Sequence, residues 1–134
     1  MKIRLSDLRR IIREALEVGG LTLYHGTLRD AVPSILRTGL RAGQGWGGAE
    51  KPGVFLCASQ ETALYWAKMS LLKKLGRPQD PSEFLDLDED QLAVLEVTVP
   101  SEEVTNVVPR QKSFNLPGDS QYVGSVPPQW IKLI

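Results

Sequence analysis

Apolar residues at helical spacing open the chain. In "MKIRLSDLRRIIREALEVGG", Leu5, Leu8, Ile11, Ile12, Ala15 and Leu16 share one face, Ser6 can cap the start, and Gly19 and Gly20 end the run. This predicts an amphipathic helix whose far side carries Lys2, Arg4, Arg9, Arg10 and Arg13. The paired glycines set it apart, so residues 1–20 read as an appendage or docking segment and residues 21–134 as the domain proper. The helix serves packing, or it docks a partner through residues 1–17.

Beyond it the pattern changes. "LTLY" suits a buried strand that ends at His25, and "TLRDAVPSILRTG" a short helix begun near Thr27 or Asp30 and closed by Gly39. Five glycines between Gly43 and Gly53 predict a loop, followed by the apolar strand "VFLC". "SQETALYWAKMSLLKKLG" predicts a helix capped by Ser59 and stopped by Gly76 and Pro78. After a polar stretch from Arg77 to Asp90, "LAVLEVTVP" alternates, with Ala93, Leu95, Val97 and Val99 on one face and Val94, Glu96 and Thr98 on the other. A weaker strand over Val104 to Val108 and the pieces "QYVGSV" and "WIKLI" complete the chain. Strands outnumber helices and are too interrupted for repeated βαβ units, so the class is α+β with a mostly antiparallel sheet.

At 134 residues and 42% hydrophobic content the chain holds one core, not two. Sixteen basic and 16 acidic side chains cancel, so bulk charge calls for neither nucleic acid nor an anionic membrane, although residues 83–103 hold eight carboxylates without a Lys or Arg. One cysteine, Cys57, and one histidine, His25, are too few for an ordinary structural zinc site, and Cys57 has no second histidine to activate it. No apolar run reaches the ~18 residues of a membrane span, and the charged N-terminus does not suit a signal peptide. The expectation is a cytoplasmic protein without metal or membrane.

The order of "YHGT", "SILRTGLR", "GVFLCAS", "ALYWA", "LAVLEVTV" and "SQYV" over residues 21–126 resembles the ADP-ribosyltransferase fold of the poly-ADP-ribose polymerases and diphtheria-toxin-like enzymes. The resemblance implies a split, two-sheet α+β fold that binds NAD in a cleft and cleaves its bond to nicotinamide. Because the leaving nicotinamide is already cationic in NAD, such a site has to hold the ring, polarise the ribose and steady the oxocarbenium-like charge.

The roles of individual residues are implied by the resemblance alone. His25 would bond a ribose hydroxyl, and the backbone of Gly26, with Thr27 beside it, would meet the nicotinamide amide. Phe55 and Tyr65 would sandwich the nicotinamide ring, Phe55 standing where tyrosine is usual. Thr62 matches a hydroxyl that bonds the amide, and Arg41 a basic residue near the diphosphate or adenosine ribose. The glycine loop would cover the cofactor, with Trp46 over an adenine or a target. Read without the family, His25 is a structural histidine at a strand end, Phe55 and Tyr65 are core, Thr62 is a first-turn helix residue and Arg41 an exposed arginine.

The usual catalytic glutamate aligns with Gln121, which hydrogen-bonds a ribose but carries no charge and cannot act as a base. Catalytic candidates are therefore His25, Tyr65 and Gln121, with Asp119 as a neighbour to recruit, while Glu96 and Cys57 read as structural. Three readings stand: a mono-ADP-ribosyltransferase acting on an unidentified macromolecular acceptor, an NAD- or ADP-ribose-binding module with little turnover, and a relative of the RNA 2′-phosphotransferases. Few basic residues flank the cleft motifs, Arg41 and Lys51 being the nearest, which is little for an RNA phosphate. The biological setting, housekeeping enzyme, toxin or phage effector, stays open; the basic first helix resembles leader helices of phage-borne proteins.

Overall fold

A computed structural model describes residues 10, 20–43, 53–109 and 120–134. The expected first helix falls outside these residues except for Arg10, which is helical and exposed. Most of the glycine loop, with Trp46 and Lys51, and also Asp119, lie outside them too.

Two three-stranded antiparallel sheets make an α+β fold. The first sheet has the order β1-β3-β6, built from β1 (Gly20–Leu28), β3 (Leu92–Pro100) and β6 (Ile131–Leu133). The second has the order β2-β5-β4, from β2 (Gly53–Leu56), β5 (Ser120–Val123) and β4 (Val107–Pro109). The alternation expected in "LAVLEVTVP" is observed, because Leu95, Val97 and Val99 are fully buried while Thr98 is exposed. Leu21, Leu23, Val54, Leu56, Val97, Val99 and Tyr122 form the core between the inner faces of the two sheets.

Helix α1 (Val32–Thr38) follows a 3-10 turn over Arg29–Ala31, takes Pro33 in its first turn where no amide partner is needed, and stops at Gly39, whose φ of 86° suits glycine. Helix α2 (Gln60–Lys74) starts as its sequence predicts, with the Ser59 hydroxyl accepting from the Thr62 amide. Its small residues Ala63 and Ala67 with Leu71 form the face laid on β1 and β3.

Two expectations need correcting. β1 does not end at His25 but runs on to Leu28, pairing Gly26 with Val94 and Thr27 with Ala93, so Thr27 belongs to a strand and not to a helix start. The segment expected as a strand from Val104 is a 3-10 turn over Ser101–Asn106, and extended structure begins only at Val107.

Candidate functional site

The site follows from how main-chain groups alternate along a strand. In an antiparallel pair, one residue points both its N–H and its C=O at the neighbour and the next points both away. Tyr24 exchanges both bonds with Cys57, its amide donating over 2.8 Å and its carbonyl accepting over 2.7 Å. The main-chain groups of Tyr24 therefore face β2 and not β3, and by alternation those of Gly26 face the same way. Likewise Cys57 turns its groups toward β1, and so does Phe55 two residues earlier.

A continued ladder would pair Gly26 with Phe55. It does not form. Among the described residues the single bridge Tyr24–Cys57 joins β1 to β2, and the sheets part immediately beyond it. The Phe55 carbonyl instead accepts a hydrogen bond from the His25 ring at Nδ1, 2.8 Å away. At the other end of β2, Gly53 pairs with Gly43 through two bonds of 3.0 Å. The opening between these two rungs spans four residues of β2, about 13 Å. Gly26 presents one N–H and one C=O to it from an edge strand.

His25 is half-buried, and burial holds its pKa below the ordinary histidine value, while the bond to the Phe55 carbonyl pulls the other way. A carbonyl only accepts, so Nδ1 carries the proton. In the neutral ring Nε2 is then a hydrogen-bond acceptor whose orientation the Nδ1 bond fixes.

Gly26 has a second reason to be glycine. A Cβ there would run into the Ala63 carbonyl oxygen and stand 3.1 Å from the Ala67 Cβ, so α2 crosses β1 in contact with its backbone. This crossing sets the phase of the helix. Trp66 lies beside the contact face and meets Phe55 edge to face, with ring centroids 5.5 Å apart and planes at 78°. Tyr65, two residues from both Ala63 and Ala67, turns to the far side of α2. There it meets Trp66 at 5.1 Å and Phe84 at 5.4 Å. Among the described residues no ring contact joins Phe55 to Tyr65, and the aromatic side chain of α2 that stands against Phe55 is Trp66. The signal for Trp66 was the Ala63/Ala67 spacing, which puts residue 66 nearer the packed face than residue 65.

Gln121 sits opposite Phe55 in the β2–β5 pair, so both side chains leave the sheet on the same face, away from the core that holds Val54 and Tyr122. Its buried side chain lies over Gly53, where a Cβ would collide with the Gln121 amide. His25, Gly26, Phe55 and Gln121 thus gather around the parted strands. Thr62 is in the first turn of α2, its Oγ1 accepting from Ser59 Oγ over 2.9 Å. Arg41 is exposed two residues before Gly43, at the far end of the opening, and makes no ion pair among the described residues. Thr27 pairs with Ala93 and, by alternation, turns its main chain to β3.

Glu96 faces Tyr24 and Lys132 across the ladder, outside this group, and Cys57 is fully buried. Among the described residues, no group of three His, Cys, Asp or Glu side chains could hold a metal, and no helix is long and apolar enough to cross a membrane. No model of a known protein family matches the chain, and no curated protein matches it.

Proposed function

We propose that this chain is an NAD-dependent mono-ADP-ribosyltransferase with an ADP-ribosyltransferase-like split-sheet fold. The observation that carries the reading is the open rung between Gly26 and Phe55, with His25 held beside it by the Phe55 carbonyl. An edge residue offering an N–H and a C=O side by side complements a primary carboxamide: the N–H donates to the amide oxygen and the C=O accepts from the amide nitrogen. Nicotinamide carries that group on a flat cationic ring, and the edge-to-face pair of Phe55 and Trp66 offers aromatic surface for it. Tyr65 supports Trp66 from behind.

With the ring so placed, Nε2 of His25 accepts a hydrogen bond from a ribose hydroxyl, and Gln121 bonds the same sugar. Arg41 meets the diphosphate at the Gly43 end. The bond between the ribose anomeric carbon and the nicotinamide nitrogen breaks with its electron pair going to nitrogen, which releases neutral nicotinamide. The acceptor's nucleophile then bonds to that carbon and gives up a proton to solvent or to its own neighbour. Gln121 supplies polarity to the oxocarbenium-like state without a full charge, so turnover is slower than with a carboxylate.

One observation favours a second reading, that of a binding module with little turnover: the catalytic position holds a neutral, buried amide. Incubation of the full chain with NAD labelled in the nicotinamide and in the adenine separates the two. Nicotinamide release with transfer of adenine label to macromolecules in a cell extract supports the enzyme. Saturable NAD binding without release supports the module, and failure to bind NAD defeats both.

A further inference from the structure

A cavity lies apart from the open rung, at the C-terminal end of β1. It holds about 380 Å³ and is lined by Leu28, Arg29, Asp30, Leu71, Lys74, Asp90 and Gln91. That volume falls in the range of small-molecule sites. Its floor is apolar: Leu28 and Leu71 pack together with Ala67 and Leu92.

The charges around it are arranged unequally. Lys74 and Asp30 neutralise each other through a 2.6 Å ion pair. Arg29 and Asp90 make no ion pair among the described residues, although both line the cavity. The Arg29 Nε donates to the Leu92 carbonyl at 3.2 Å, which fixes the guanidinium and leaves its terminal nitrogens for an anion. Asp90 spends only its main-chain amide locally, on the Asp88 carboxylate at 2.9 Å, so its own carboxylate is available to a cation. One oriented cation and one carboxylate thus stand over an apolar floor, with the remaining pair cancelled.

The geometry points to a site for a small zwitterionic ligand with an apolar body, of the chemical class of a free apolar amino acid. Its carboxylate meets Arg29, its ammonium meets Asp90, and its side chain covers Leu28 and Leu71. This site does not depend on the NAD reading, since none of its residues borders the open rung.

The test titrates the ¹⁵N-labelled full chain with three probes: L-phenylalanine, which carries both charges; phenylalaninamide, which carries only the cation; and N-acetylphenylalanine, which carries only the anion. Saturable shifts at the amides of Leu28, Arg29, Leu71 and Gln91 are expected with L-phenylalanine, and each singly charged probe should bind about threefold to fivefold more weakly. Asp90→Asn should weaken L-phenylalanine and phenylalaninamide by a similar factor and leave N-acetylphenylalanine unchanged, while Arg29→Gln should weaken L-phenylalanine and N-acetylphenylalanine and leave phenylalaninamide unchanged. No saturable shift, shifts confined to Gly26 and Phe55, or equal binding of all three probes would overturn the assignment.

Discussion

β1 has two flanks, and they differ completely. On the side of β3 it is paired from Gly20 to Leu28 without interruption, and on the side of β2 it is paired once, at Tyr24. The continuous ladder gives rigidity. The interrupted one leaves a donor and an acceptor of the main chain side by side on the edge of β1, held in place by the ladder behind them. Under the proposed reading, a recognition site for a planar amide arises here without any charged side chain, because the side of β1 that pairs only once is backed by the side that pairs throughout.

The largest effect is expected where the two flanks share a residue. Gly26→Ala places a methyl group against the Ala63 carbonyl, so α2 has to lift from β1. A loss of about 3 kcal/mol in unfolding free energy is expected, read from the denaturation midpoint. A variant as stable as the parent would show that the helix does not sit on the strand as described.

The open flank is sharpened next by Gln121→Glu. The buried position penalises a carboxylate, so stability should fall by about 1–3 kcal/mol without ligand. With NAD bound, the developing positive charge offsets that cost, and nicotinamide release should rise by about tenfold or more. Equal release by the parent, Gln121→Glu and Gln121→Ala would mean that this face of β5 does not meet the ribose.

The aromatic border separates two neighbours on one helix. Trp66→Ala should weaken NAD by about threefold to tenfold in a titration, and Tyr65→Ala by less, because Tyr65 acts through Trp66. A larger loss with Tyr65→Ala would favour the sandwich of the nicotinamide ring by Phe55 and Tyr65 expected from the sequence.

The smallest effect is that of pH. His25 titrates near 6.5 when unfolded and at lower pH when folded, so the unfolded chain binds the extra proton first. The stability due to this group is complete above pH 6.5 and is lost as the pH falls below it. Protonation of the folded protein also removes the Nε2 acceptor, so NAD affinity should decline as the pH falls through the lower, folded value. His25→Gln should flatten this part of both profiles, which denaturation and binding series from about pH 7 to 5 would reveal.

Much of this was legible in the residues, for physical reasons. The Ser59 cap, the alternation of β3 and the α+β class arise from local patterns that tertiary packing reinforces. The continuation of β1 through Gly26 was not, because a glycine beside a polar histidine signals a break when its true cause is a helix backbone packed on it from residue 63. The edge-to-face contact of Phe55 with Trp66 was not legible either, since adjacent aromatics give no phase until Ala63 and Ala67 are seen against the strand. The parting of the sheets was invisible for a deeper reason: pairing ends between residues about thirty apart, and no local pattern encodes where a long-range ladder stops.

The central claim, that the main-chain edge of Gly26 reads a carboxamide, is tested most directly by calorimetric titration of the full chain with NAD and with its nicotinic acid analogue. The two differ only in replacing the amide by a carboxylate, which cannot donate to the Gly26 carbonyl and sets like partial charges against each other. NAD should bind at least about tenfold more tightly. Equal affinity for the two dinucleotides would contradict the account.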